Sequence, residues 1–127
     1  MKTLVLILAL LATGSVMAQS GTATTAPASN SVQIDQNTIQ TTSYHANGKI
    51  SEIGYYKNGL KHGTWVTYDE NGNKTAESAF ENGVREGKCV VYDGNGNIRY
   101  MMVYENGKRI LTTQWNANGE MIAGVKH

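Results

Sequence analysis

Residues 56–72 read YKNGLKHGTWVTYDENG, and the same pattern returns over residues 80–96 as FENGVREGKCVVYDGNG. Each copy contains an aromatic residue, an Asn-Gly pair, a further glycine, and a second aromatic residue before another Asn-Gly pair. A third and less regular copy begins at Tyr104. Self-similarity at a fixed period is typical of repeat architectures, in which each unit packs against its neighbours. The sequence therefore predicts a repeat fold with a unit of about 24 residues.

Within this unit, an aromatic residue recurs about every 12 residues and is followed closely by Asn-Gly. The aromatic residues are Tyr44, Tyr56, Tyr68, Phe80, Tyr92, Tyr104 and Trp115. Asn and Gly tolerate positive φ and favour tight hairpin turns. The segments between the turns have the length and composition of strands, and they span residues 50–56, 64–68, 75–80, 89–92, 98–104 and 110–115. The pattern predicts an all-β fold, an open single-layer antiparallel β-meander of seven strands.

The repeat also predicts how side chains meet across the strands. We expect cross-strand stacking within two sets of aromatic residues, one formed by Tyr56, Phe80 and Tyr104 and the other by Tyr68 and Tyr92. Gly63 and Gly87 lie between a turn and a strand in successive units. We expect each of these glycines to let the backbone or an aromatic ring approach closely, or to adopt an unusual φ.

Residues 1–18 have the features of a secretory signal peptide. Lys2 is followed by the apolar run LVLILALL, and small residues precede Gln19 at the expected cleavage site. The predicted outcome is export to the periplasm or outside the cell with cleavage after Ala18, and retention as an uncleaved anchor is the alternative. The single cysteine, Cys89, lies far downstream, so we expect neither a lipoprotein nor an internal disulfide.

Residues 19–42 are rich in Ser, Thr, Ala, Gln and Asn and predict a flexible low-complexity linker before a repeat domain at 43–127. The alternative is weak pairing of Val32, Ile34 and Ile39 with a sheet edge. The formal net charge is +1, and loss of Lys2 with the signal peptide brings it near zero. A near-neutral chain argues against nucleic acid as a partner, because binding to nucleic acid requires a basic surface.

The aromatic residues outnumber those that one face of a single-layer sheet can bury, so part of them are candidates for an exposed interaction patch. Basic residues recur in the turn segments and are candidates for a rim beside that patch, with ordinary solvated charges as the alternative. The candidate interaction surface consists of Tyr55, Trp65, Tyr100, Trp115, Lys57, Lys61, Arg85, Lys108 and Arg109.

The sequence offers little for catalysis or metal binding. None of the three histidines, His45, His62 and His127, is spaced from another His or a Cys as metal ligands usually are. Cys89 holds the register of Trp65 in the preceding unit, which favours a structural role over a nucleophilic one. Turn carboxylates such as Asp69 usually accept hydrogen bonds from the amides of their own turn. We therefore predict no catalytic, cofactor or metal site and no small-molecule substrate.

The pattern Tyr56-x-Asn58-Gly59-x-x-x-Gly63-x-Trp65-x-x-Tyr68-Asp69-x-x-Gly72 resembles the unit of the MORN-repeat variant family. In the second copy Cys89 stands in place of the tryptophan, and in the third Leu111 replaces the glycine and one residue is missing before Trp115. The resemblance covers residues 43–122. Family members are commonly labelled antitoxin components, and eukaryotic relatives are linked to membrane attachment and scaffolding. The resemblance implies no catalytic residues.

These observations together predict an exported, non-catalytic repeat module that binds a protein in the cell envelope or outside the cell. An antitoxin-component-like role is consistent with export only if the toxin acts in the envelope. Two alternatives remain open, namely a peripheral module that binds membrane lipid and an enzyme that uses Cys89.

Overall fold

A computed structural model describes residues 28–127, which form nine β-strands and no helix. These residues therefore contain no helix that could cross a membrane. The strands are β1 (Ser29–Gln33), β2 (Thr38–Tyr44), β3 (Ile50–Lys57), β4 (Leu60–Tyr68), β5 (Lys74–Glu81), β6 (Val84–Tyr92), β7 (Ile98–Glu105), β8 (Lys108–Trp115) and β9 (Met121–Lys126). The strand segments predicted from residue 50 onward all lie within β3 to β8. The predicted signal peptide and residues 19–27 lie outside the described residues.

Every strand pairs antiparallel with the next strand in the sequence, so the sheet order is β1-β2-β3-β4-β5-β6-β7-β8-β9. Because sequence neighbours are also sheet neighbours, no connection has to cross another strand. The sheet does not close on itself, since β1 and β9 lie at opposite edges. The predicted all-β, open, single-layer meander is confirmed, with nine strands instead of the seven predicted.

The linker prediction, which covered residues 19–42, is wrong for residues 29–33 and 38–42, which belong to β1 and β2. Val32 pairs with Gln40 in the first of these hairpins, and Thr41 pairs with Gly54 of β3 in the next. These strands are rich in Ser, Thr, Asn and Gln, so their composition resembled that of a linker. They nevertheless extend the sheet, because backbone hydrogen bonding in a ladder does not require large apolar side chains. The repeat domain therefore begins before residue 43.

The two halves of the repeat unit differ because they form different turns at opposite ends of the strands. At one end, Asn58, Asn82 and Asn106 have φ of 50°, 48° and 49°, and the glycine after each also has positive φ. Two successive residues with positive φ define the type I′ turn of a two-residue hairpin. At the other end the turns are longer, and in the second of them Asp69 Oδ1 accepts the backbone N–H groups of Asn71 and Asn73, both at 2.9 Å. The predicted tight Asn-Gly hairpins are therefore confirmed at Asn58, Asn82 and Asn106, whereas the other Asn-Gly pairs lie in longer turns in which only the glycine has positive φ.

Gly63 and Gly87 occupy irregularities in β4 and β6, where the strand register shifts against β3 and β5. Their φ values are 67° and 91°, a conformation that side-chain-bearing residues rarely adopt. A Cβ atom at either position would come no closer than 3.7 Å to another group. The expected close approach at these glycines is therefore wrong, and the alternative of an unusual φ is confirmed.

The two faces of the sheet are not equivalent. The front face carries a row of cross-strand neighbours through the middle of the strands, namely Thr41, Gly54, Trp65, Ser78, Cys89, Met102 and Thr112. The back face carries the next residue of each strand, so Tyr55, Val66, Glu77 and Val90 point the other way. Within residues 28–127 the two buried apolar residues, Trp65 and Cys89, both lie on the front face. The packed centre of the domain is therefore on that side.

Candidate functional site

A line of alternating aromatic and basic side chains crosses the front face. It lies near the end of the sheet that carries the type I′ turns at Asn58, Asn82 and Asn106. Tyr56 pairs with Lys61, Phe80 with Arg85, and Tyr104 with Arg109, so the same pair recurs in each unit. We call these six residues the aromatic–basic row. It runs across six consecutive strands, from β3 to β8.

Side-chain contacts link successive pairs of the row. The Lys61 ammonium lies 5.0 Å from the centre of the Phe80 ring, in the next unit. The Arg85 guanidinium lies 5.4 Å from the centre of the Tyr104 ring, and its Nη1 donates to the Tyr104 hydroxyl at 3.2 Å. A cation over an aromatic face is attracted by the ring quadrupole. These contacts favour side-chain positions in which Lys61 and Arg85 lie over the rings.

Trp65 lies beneath the first part of the row and organises it. Its ring covers Gly54 so closely that a Cβ atom there would be 2.1 Å from Cδ2 of the indole. The indole Nε1 donates to the Tyr55 carbonyl at 3.1 Å. Tyr56 and Phe80 contact the indole edge-on at 5.1 and 6.3 Å between ring centres, and Lys61 lies 4.0 Å above it. The prediction that Tyr56 stacks directly on Phe80 is therefore wrong, because the Trp65 ring lies between them and contacts both.

The following units keep this arrangement with different side-chain sizes. Gly54 faces Trp65 in the first unit, whereas Ser78 pairs with Cys89 in the second and Met102 with Thr112 in the third. A large residue on one strand is matched by a small one on its neighbour in the first and third units. Cys89 is only 2% exposed, which agrees with the prediction that it fills a structural position of the repeat.

The basic residues of the row carry no carboxylate partner. Within residues 28–127 the two ion pairs join Lys74 to Glu77 and Arg99 to Asp93, away from the row. Glu81 and Glu105 adjoin Phe80 and Tyr104 in sequence, so their side chains project from the back face. The front face at this end of the sheet is therefore positively charged and aromatic.

The nine residues predicted as an interaction surface do not form one patch. Lys61, Arg85 and Arg109 share the front face and belong to the row, whereas Tyr55, Lys57 and Lys108 lie on the back face by strand alternation. Trp65 is 4% exposed, so its assignment to an exposed surface is wrong, because its ring lies flat over a glycine backbone.

The last two predicted residues lie further along the sheet. Tyr100 is on the front face but near the opposite turns, where its hydroxyl accepts a hydrogen bond from Gln114 at 3.2 Å. Trp115 ends β8 and is half-buried, and its carbonyl accepts a bond from Arg99 at 3.0 Å. The sequence analysis did not assign Tyr56, Phe80 and Tyr104 to the surface. Each of them precedes a basic residue of the row by the same number of positions, and this recurrence could have indicated them.

Residues that could support other chemistry are engaged elsewhere. His45 Nε2 lies 2.8 Å from the Tyr68 carbonyl, and His127 Nε2 lies 3.2 Å from the Thr112 hydroxyl. In the part of the chain that the structure describes, no three His, Cys, Asp or Glu side chains are grouped as a metal site would require. The burial of Cys89 keeps its thiol away from a dissolved substrate.

The carboxylates of Asp69 and Asp93 accept hydrogen bonds from backbone N–H groups of their own turns. Hydrogen bonds from Asn73 lower the pKa of Asp69 below its ordinary value. The bond from the Asn73 backbone N–H has the largest effect, and the bond from its side-chain amide has the next largest. The Asn97 backbone N–H has the same effect on the pKa of Asp93. These aspartates therefore stay ionised to lower pH than an ordinary aspartate while they accept hydrogen bonds from the turn backbone.

Comparison with known proteins agrees with this geometry. A profile of the MORN repeat variant matches residues 38–58, 61–82 and 85–106, which together make up more than half of the chain. The first match includes β2, so it also places the start of the repeats before residue 43. A search among curated proteins finds no match. MORN repeats are generally non-catalytic modules that bind proteins or membrane lipids. With three consecutive matched repeats on a continuous meander, the chain belongs to the MORN repeat variant family.

Proposed function

We propose that this chain is an exported, non-catalytic module that binds a protein partner in the cell envelope or outside the cell, and that the aromatic–basic row is its docking surface. One observation carries the proposal: Lys61, Arg85 and Arg109 recur at the same register in three units on one face, and none of them has a carboxylate partner. Two of these cations, Lys61 and Arg85, also lie over aromatic rings of the same face, so the row combines positive charge with half-buried aromatic side chains, as interaction sites commonly do.

The aromatic residues of the row suit a protein interface. Interfaces between proteins are enriched in Tyr, Trp, Phe and Arg, which supply large contact areas and directed polar groups. Here ring contacts already favour the positions of Lys61 and Arg85 in the absence of a partner. Ordering that is present in the free protein lowers the entropic cost of association.

Affinity capture from cells that express the full-length tagged chain tests this proposal. Envelopes are cross-linked, and the recovered proteins are identified by mass spectrometry. We expect one enriched envelope protein with the native chain and its loss with Lys61→Gln/Arg85→Gln. The matched control is Lys57→Gln/Lys108→Gln, which removes the same charge from the back face at the same end of the sheet. Equal recovery by the two double variants would show that the row is not the docking surface.

The identity of the captured protein also decides the finer proposals. An envelope-acting toxin as the partner would support the antitoxin-component-like role. Processing is tested on the same sample, because cleavage after Ala18 leaves a chain that begins at Gln19. An uncleaved N-terminus in the envelope fraction would indicate the anchored alternative.

Lipid binding is the second candidate, and the same three cations favour it. Basic residues near a surface are attracted by anionic headgroups, and this attraction weakens as salt is added. Sedimentation with vesicles of anionic and of zwitterionic lipid separates the two functions. Salt-sensitive binding to anionic vesicles alone, without an enriched protein in the capture experiment, would favour the lipid function.

A further inference from the structure

The row repeats a positive charge at a regular distance. Lys61, Arg85 and Arg109 lie on β4, β6 and β8, at equivalent cross-strand positions in successive units. Adjacent strands are about 4.8 Å apart, so charges on alternate strands recur roughly every 9.5 Å. An aromatic ring lies in each interval, with Phe80 between the first two cations and Tyr104 between the last two.

A ligand that matches this surface must present negative charges at the same interval on one side. A β-strand does not meet this condition, because residues three apart point to opposite sides of the strand. A polyproline II helix has three residues per turn and rises about 3.1 Å per residue, so every third side chain lies on one side at roughly 9.3 Å intervals. The two periods are therefore similar.

The rings between the cations add a second match. Aromatic surfaces are the usual docking sites for polyproline II segments, whose rings pack against them while the backbone is already extended. Phe80 and Tyr104 are only half-buried although Lys61 and Arg85 lie over their rings, so each leaves part of its ring to the solvent.

We propose that the row binds a polyproline II segment of a protein partner, laid across the strands, with an acidic residue at every third position. This inference rests on the proposed function, of which it specifies the partner chemistry. The carboxylates meet Lys61, Arg85 and Arg109 in turn, and the residues between them contact Phe80 and Tyr104. Charge and spacing together define the site, so acidic character alone is not sufficient for tight binding.

Two peptides of equal composition provide the test, with calorimetry on protein purified from cells expressing the full-length chain. One peptide contains four Glu-Pro-Pro triplets, and the other contains the same residues as two Glu-Glu-Pro-Pro-Pro-Pro blocks. We expect the triplet peptide to bind at least about tenfold more tightly than the block peptide. Lys61→Gln/Arg85→Gln should remove this preference, and the back-face control Lys57→Gln/Lys108→Gln should keep it.

Three results would overturn the inference. They are equal affinity for the two peptides, equal loss in the two double variants, and binding to anionic vesicles with no binding to either peptide. The capture experiment separates this failure from that of the proposed function. A captured envelope protein that depends on Lys61 and Arg85 would preserve the docking surface even if the peptide spacing proved irrelevant.

Discussion

Replacement of Gly54 by alanine tests the central contact of the domain. The added Cβ atom would lie 2.1–2.4 Å from three carbon atoms of the Trp65 ring, so the indole has to leave its place. Gly54 does not have positive φ, so the backbone itself accepts alanine and the effect is steric.

The loss of stability follows from what holds the indole. A displaced ring loses its hydrogen bond to the Tyr55 carbonyl, worth about 1 kcal/mol, and its contact with Lys61, worth about 0.5–1 kcal/mol. Partial exposure of its apolar surface costs about 1–2 kcal/mol more. We therefore expect the free energy of unfolding of Gly54→Ala to fall by about 3 kcal/mol, which lowers Tm by roughly 12–24 °C in a domain of this size.

Urea denaturation followed by far-UV circular dichroism measures this change. Gly124→Ala is the matched control, because Gly124 also lies in a strand but has no atom within 4 Å of the added Cβ. A further test copies the second unit into the first. Gly54→Ser and Trp65→Cys should each destabilise strongly, whereas the double variant recreates the Ser78–Cys89 pair, with a favourable coupling of about 2 kcal/mol. A loss below about 0.5 kcal/mol in Gly54→Ala would refute the packing argument.

Three further predictions concern the bulges, the turns and the cysteine. Gly63→Val or Gly87→Val should lower the free energy of unfolding by about 1–3 kcal/mol, since both glycines have positive φ, and unchanged melting temperatures would contradict this. Because the pKa of Asp69 is lowered in the folded state, its stabilising effect is present above the ordinary value of 3.8 and is lost as pH falls through the folded pKa. Asp69→Asn, which copies Asn116, should reduce the fall of the urea midpoint between about pH 6 and pH 2, and an unchanged pH dependence would argue against this role. Cys89 should react with a thiol reagent at least about 100-fold more slowly in the folded protein than in urea, and rapid labelling of the native chain would show that it is not buried.

The repeat was predictable because its turns have strong local signals. Asn58, Asn82 and Asn106 each precede a glycine and adopt the positive φ that such pairs favour, so the hairpins follow from sequence. The strands β1 and β2 were not predictable from composition, because polar residues that pair through the backbone have the same composition as a linker. Only the isolated apolar residues Val32 and Ile39 indicated them.

The site was predictable in part for a similar reason. The recurrence of Lys61, Arg85 and Arg109 is visible in the sequence, but the face on which each basic residue lies depends on register. Lys57 and Lys108 differ from the row by one position in their strands, which places them on the other side. The burial of Trp65 depends on a contact with Gly54 across an irregularity in the ladder, and no spacing rule gives that pairing.

The meander places neighbouring hairpins in contact at their turns as well as along their strands. The Gly83 backbone N–H donates to the Lys61 carbonyl, and Gly107 donates in the same way to Arg85. Each hairpin therefore contacts the preceding hairpin in the same way, so a further repeat could be added at the end of the sheet without a change in the order of the existing strands. Gain of one repeat would add one cation and one ring to the row, and loss of one would shorten it by the same step. The number of repeats would thus determine the length of ligand that the protein can bind.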